Sequence, residues 1–118
     1  MKNAADESDT ELAAHLNRNE AVWAQWITHG VKSDTTLKVD FHFDADQKSA
    51  ADALERALLD EGLTVVVSEM RGVASSWNVE ASETGKWTLG RLQLRTREFH
   101  AAALAHGLTF GGLGAQMR

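Results

Sequence analysis

The groups with the greatest capacity for chemistry are five histidines, at positions 15, 29, 42, 100 and 106. None falls at a recognised metal-ligand spacing, and His100 and His106 do not share a helical face. His42 stands apart because Asp40 and Asp44 flank it at two-residue intervals. On a strand such residues share a face, so one imidazole and two carboxylates would stand side by side. A cluster of that kind can bind a metal ion or relay a proton. It is also what an ordinary solvated strand face looks like, and the plainer reading is preferred. No catalytic residue, metal ligand or cofactor is therefore assigned. There is no Walker loop, no G-x-G-x-x-G and no serine-nucleophile motif. Gly111, Gly112 and Gly114 precede no helix, so they do not make a phosphate cradle. Lys86, Arg91, Arg95 and Arg97 form a modest basic patch that reads as a solvated helix face.

The element that must position His42 is Leu37 to Val67, a strand, a helix and a strand. Val39, Phe41 and Phe43 alternate with Lys38, Asp40, His42 and Asp44, the pattern of a half-buried strand. The phenyl rings then point inward, and Asp40 and His42 outward. Asp44 with Gln47 fits a capping box, and Asp46 is a second N-cap candidate. Ala50, Ala51, Leu54, Ala57 and Leu58 make one apolar stripe, and Gly62 is the expected stop. Leu63, Val65 and Val67 then share one strand face. A unit of this length predicts a right-handed crossover between two parallel strands.

Upstream, residues 1–9 are expected to fray, and Ser8 with Glu11 is a capping-box candidate. A helix over 10–29, ending near Gly30, carries Leu12, Ala13, Leu16, Trp23, Trp26 and Ile27 on one stripe, with Val22 at its margin. The two tryptophans read as packing residues rather than as a partner's anchor. Downstream of Val67, a loop over Glu69 to Gly72 leads to a third strand. There Val73, Ser75, Trp77, Val79 and Ala81 share a face, and the strand pairs with the second as a hairpin. Ser82 to Lys86 reads as a turn, Thr88 as the cap of a last helix over Leu89 to His106, and Gly107 as its end. Leu92, Thr96, Phe99 and Ala103 line that helix; Arg91 and Arg95 lie on another face, with Glu98 near Arg95. Leu108 to Phe110 is a short fourth strand before a glycine-rich tail. The order predicts an α+β, ferredoxin-like split βαβ sandwich (β-α-β-β-α-β) with an additional N-terminal helix, in one domain over 10–118. The sheet face away from the helices should carry Asp40, His42, Thr64, Val66, Ser76, Asn78 and Glu80.

With 118 residues the chain can bury one core without staples, and with no cysteine it forms no disulfide or thiolate site. A net charge of −5 opposes nonspecific attraction to nucleic acid and to anionic membranes. An RNA-recognition sheet would need aromatics on its open face, where this register places Asp40 and Glu80. Neither a transmembrane run nor a signal peptide is expected, and a reducing cytoplasm suits the composition.

Taken together, the pattern resembles the regulator of ribonuclease E activity B family (RraB, the ribonuclease E inhibitors). The resemblance runs from about Leu12 to the end of the chain. It rests on the leading helix with Asn17, Trp23 and Gly30, and on the VDFHF strand. It rests also on the ALERALLDEGLTV passage, the WNVEAS strand, the helix ending in LAHG, and TFGGLG. Family members tend to end in a Tyr-Asp-Gly-Trp-Gly-like segment. Here Phe110, Gly111, Gly112, Leu113 and Gly114 stand in those places, so the Asp and Trp are missing.

The resemblance implies a cytoplasmic bacterial protein without catalysis, which binds ribonuclease E or another RNA-decay protein and dampens RNA turnover. The expected partner is a protein, with no direct nucleic-acid or membrane contact. Candidate contacts are Asp40, His42, Asp44 and Glu80 on the open face, with Phe110 and Leu113 near the tail. The alternative is a homo-oligomeric ferredoxin-like small-molecule sensor or structural domain, in which exposed sheet edges or Trp23 and Trp26 join two copies as a homodimer.

Overall fold

Strand β1 (Thr36–Ala45) is the centre of the molecule. Its burial alternates as the sequence alternates: Val39, Phe41 and Phe43 are wholly buried, whereas Lys38 and Asp44 are exposed. The structure is a computed structural model that describes residues 4–70 and 76–115. The other elements are α1 (Ala4–Thr28), α2 (Lys48–Asp60), β2 (Thr64–Met70), β3 (Ser76–Lys86), α3 (Leu89–His106) and β4 (Thr109–Ala115).

The four strands form one sheet in the order β2-β3-β1-β4, with every neighbouring pair antiparallel. Both β1 and β2 run antiparallel to β3, so they are parallel to each other, as the crossover requires, with β3 inserted between them. Helices α2 and α3 pack on the inner face, and α1 packs on α3. The core between them is aromatic. Phe99 of α3 stands edge-on to Phe41 at 4.6 Å and to Phe43 at 5.8 Å, and Phe110 of β4 stands edge-on to Phe43 at 5.4 Å. Rings at these angles set positive edges against negative faces, adding to the area they bury.

Several local expectations hold and several give way. Thr88 caps α3, its hydroxyl accepting from the Arg91 amide, and Gly107 takes the left-handed conformation at φ 79°. Gly62, at φ 89°, follows α2 as expected, and the Leu63 amide donates back to the Leu58 carbonyl. Neither Asp44 nor Asp46 caps α2, however. Its N-cap is Gln47, which makes no side-chain capping bond, because Asp44 still belongs to β1 and pairs with Asn78 and Thr109. Ser82 to Lys86 is not a turn. β3 continues through it to match the full length of β1, ending at the pair Thr36↔Lys86. Glu69 and Met70 belong to β2 rather than to a loop. Val73 to Ser75 and the remaining loop residues Arg71 and Gly72 lie outside the described residues. Nor does β4 end before its glycines: it runs to Ala115, with a register shift opposite His42 and Phe43 that accommodates Gly111.

Helix α1 begins at Ala4, four residues ahead of Ser8. Its packed face is Leu12, His15, Leu16, Asn19, Val22, Trp23 and Trp26, whereas Ala13 and Ile27 of the expected stripe are exposed. Spacings of three and four hold throughout this set, but two of its members are polar. Trp26 is buried, and Trp23 lies edge-on to it at 6.0 Å, so both indoles serve packing.

Candidate protein-docking face

The outer sheet face follows from the register. Three rows cross all four strands on it: Thr64, Ser82, Asp40 and Gly114; Val66, Glu80, His42 and Gly112; and Ser68, Asn78, Asp44 and Thr109. Met70 with Ser76 continues the face at one end, and Lys38 with Thr84 and Thr36 with Lys86 at the other. All seven residues expected on this face fall there, and no helix packs over it in the main contacts of the described residues. Asp40, Asp44 and Glu80 therefore bring three carboxylates around His42. Two are oriented by neighbours on β3. The Ser82 hydroxyl donates to Asp40 Oδ1 at 2.7 Å, and Asn78 Nδ2 lies 3.4 Å from Asp44 Oδ1. These bonds fix the acidic side chains at defined positions on a rigid sheet. Among the described residues no three His, Asp or Glu side chains are grouped closely enough to hold a metal ion.

The two contacts expected near the tail sit differently. Phe110 is 3% exposed, wedged between Phe43 and His15, whose ring meets it edge-on at 4.9 Å. It presents no surface to a partner, because position 110 pairs with Phe43 and shares its inward face. Leu113 is half-buried and lines a cleft of about 200 Å³ between α1 and the strands β1 and β4. Arg18 and Val22 form one side of this cleft, His42 and Asp44 the other, and Gly111 and Gly112 its floor. Side chains on the floor would crowd it. A Cβ at Gly111 would lie 3.4 Å from Asp44 Oδ2 and from the His42 carbonyl, and Gly112 sits at φ 119°.

Helix α1 is held beside this cleft by polar contacts that hydrophobic periodicity does not reveal. Asn19 is 4% exposed and donates from Nδ2 to Thr96 Oγ1 at 2.8 Å and to Gln93 Oε1 at 2.9 Å. Gln93 Nε2 returns a bond to the Leu16 carbonyl. The sequence signals for this lock are single polar residues at otherwise apolar helical positions, Asn19 on α1 and Thr96 on α3. His15 adds a further tie to the Phe110 carbonyl. Burial holds its pKa below the ordinary histidine value; Arg18 and His100 act in the same direction, against that hydrogen bond and Glu11. Its Nδ1 faces Arg18 Nη1 at 3.4 Å, so the guanidinium opposes a second charge on the ring.

The basic patch of α3 resolves into an ion cluster on the inner side of the sheet. Arg95 donates to both Glu83 oxygens, at 2.9 and 3.0 Å, and Arg91 Nη2 donates to the second at 3.0 Å. Arg91 also caps the Lys86 carbonyl at 2.6 Å and lies 4.1 Å over the buried Trp87 ring. These two arginines are committed to the fold, leaving Lys86 and Arg97 as the patch's exposed cations.

No helix among the described residues is long and apolar enough to cross a membrane. A search of curated proteins finds no match for the chain. The family model for RraB, regulator of ribonuclease activity B, matches residues 16–115, from the second half of α1 to the last residue of β4. The chain belongs to the RraB family of ribonuclease regulators.

Proposed function

We propose that the chain is a non-enzymatic regulatory module of the cytoplasm that modulates RNA turnover by binding a protein partner, ribonuclease E or another RNA-decay protein. The reading is supported by membership of a regulator family together with the uncovered acidic face. On that face Asp40, His42, Asp44 and Glu80 are the contacts; Leu113 flanks them, and Phe110 braces β4 from behind. Carboxylates on a flat, rigid surface suit a basic partner segment and raise its on-rate more than its intrinsic affinity. The strand order β2-β3-β1-β4 supports a ferredoxin-like reading of the fold, with recognition on the sheet face opposite the helices.

The experiment is an Asp40→Lys, Glu80→Lys double variant used as bait in a pull-down from the native host. Loss of the partner, with a thermal melt lowered only by the missing Ser82 bond (about 1 kcal/mol), is the expected result. Undiminished capture of the same partner would exclude the outer face.

A second reading, a homo-oligomer, is favoured by one observation. β2 is an edge strand of seven residues, and it carries Val66 and Met70, each more than half exposed, on its outer side. A regular edge of this kind is a template for strand pairing between copies. Light scattering separates the two readings, since a monomer at high concentration removes the second.

A further inference from the structure

The middle of the outer face is acidic, with Lys38 and Lys86 at one end, but the cleft at its β4 margin is not uniformly so. Arg18 projects into it from α1, and among the described residues no carboxylate lies within 4.0 Å of that guanidinium. Asp44 lines the same cleft without pairing to it. Between the two charges lies the bare backbone of Gly111 and Gly112. A Cβ at Gly112 would stand 3.8 Å from Arg18 Nη1, and one at Gly111 would stand 3.4 Å from Asp44 Oδ2. Adjacent residues are about 3.8 Å apart, so a cation and an anion standing over neighbouring floor residues lie within a few residues of each other along an extended ligand. A free dianion such as phosphate would meet Asp44 as well as Arg18, which disfavours it. A peptide does not suffer this conflict, because it can present an anion to one group and a cation to the other. Glycine in a strand permits close approach by a second backbone.

We propose that this cleft receives one acidic side chain from an otherwise basic, extended segment of the partner, its carboxylate on Arg18, its backbone across Gly111 and Gly112, and its cations against Asp44, Asp40 and Glu80. The inference rests on the docking reading above and deepens it: the acidic residue fixes the register of the segment on the sheet. Charge attraction alone would rank partners by net positive charge. The cleft instead requires a carboxylate at one position.

The test uses two short fluorescein-labelled peptides, one alternating Lys and Ser, the other identical but with a central Lys replaced by Glu. Anisotropy titrations are run on the wild type and on Arg18→Glu. The Glu-bearing peptide is expected to bind the wild type more tightly despite its lower charge. A margin of roughly two- to fivefold is what an exposed ion pair contributes. The order should invert on Arg18→Glu, and amide signals of Gly111 and Gly112 should shift with the Glu-bearing peptide. If the all-basic peptide binds the wild type as well or better, the cleft assignment falls while docking on the acidic face stands. If neither peptide binds, both fall together.

Discussion

Replacing Glu83 by Gln should show how the inner side of the sheet is held. Glu83 pairs with Val39 across β1 and β3, so its side chain lies on the helix side, and only 20% of it is exposed. Three charge-assisted bonds reach it, two from Arg95 and one from Arg91. Each such bond contributes about 1.5–3 kcal/mol, but a Gln carbonyl would retain one, and the partial exposure weakens the rest. The expected net loss is about 2–3 kcal/mol at neutral pH, a sizeable part of the roughly 6–15 kcal/mol typical of a domain this long. The pH dependence supplies the sign. Burial alone would raise the Glu83 carboxyl; the Arg95 hydrogen bond and the charges of Arg95 and Arg91 reverse this and hold it below the usual carboxylate range. A depressed folded value means stability that is fully present above the unfolded value of about 4.3 and is lost as pH falls through the folded one. Urea unfolding followed by tryptophan fluorescence should therefore give a constant gap between wild type and variant from neutral pH to about 5, narrowing steadily in more acid solution. A gap below about 0.5 kcal/mol at neutral pH, or one that persists unchanged in acid, would refute the assignment. A double-mutant cycle with Arg95→Met should return a coupling above roughly 1 kcal/mol.

Asn19→Leu should cost about 2–3 kcal/mol, because it leaves Thr96 Oγ1, which has no exposed surface, and Gln93 Oε1 without their donor. Hydrogen exchange should rise first in α1, and protection unchanged there would rule out the lock. His15 is expected to make the wild type lose stability as pH falls from about 6.5 through the folded value. Its folded pKa is depressed by burial, Arg18 and His100, so the unfolded chain takes up the proton first. His15→Gln should flatten that slope in chemical denaturation, and parallel slopes would dismiss the cause.

Where two-residue alternation or a cap residue decides the structure, the sequence is a sufficient guide. Phe41 and Phe43 point inward, Asp40, His42 and Glu80 outward, and Thr88 and Gly107 bound α3 because those positions answer to local sterics and local hydrogen bonds. Reading fails where a distant partner overrides local preference. Ser82, Glu83, Thr84 and Gly85 have turn-like composition, yet they stay extended because β1 offers a full-length partner and Arg91 and Arg95 hold Glu83. Gly111, Gly112 and Gly114 have low strand propensity, yet β4 persists through them against the edge of β1. The same long-range cause hides Asn19, whose partners Gln93 and Thr96 lie more than seventy residues away. Trp87, 1% exposed, is hidden for a similar reason: the turn-like composition of residues 82–86 gives no local sign that the residue after them enters the core.

These departures bear on function because they fall on different sides of one sheet. The Glu83 cluster, Trp87 and Phe99 occupy the inner face, where a change of charge costs folding energy. Asp40, Asp44 and Glu80 occupy the outer face, where the lost contacts are one hydroxyl bond at Asp40 and a long amide contact at Asp44. A protein arranged this way can alter its outer charges with little penalty to stability, since the two sets of side chains share backbone but hardly touch. The cleft is the exception, because its floor belongs to β4 and its cation to α1. Besides the packing of Val22, Trp23 and Trp26, Arg18 is held near β4 by the tie of Asn19 to α3 and of His15 to the Phe110 carbonyl. Loosening α1 should therefore weaken recognition at the cleft before it affects the acidic rows, which rest on β1 and β3 alone.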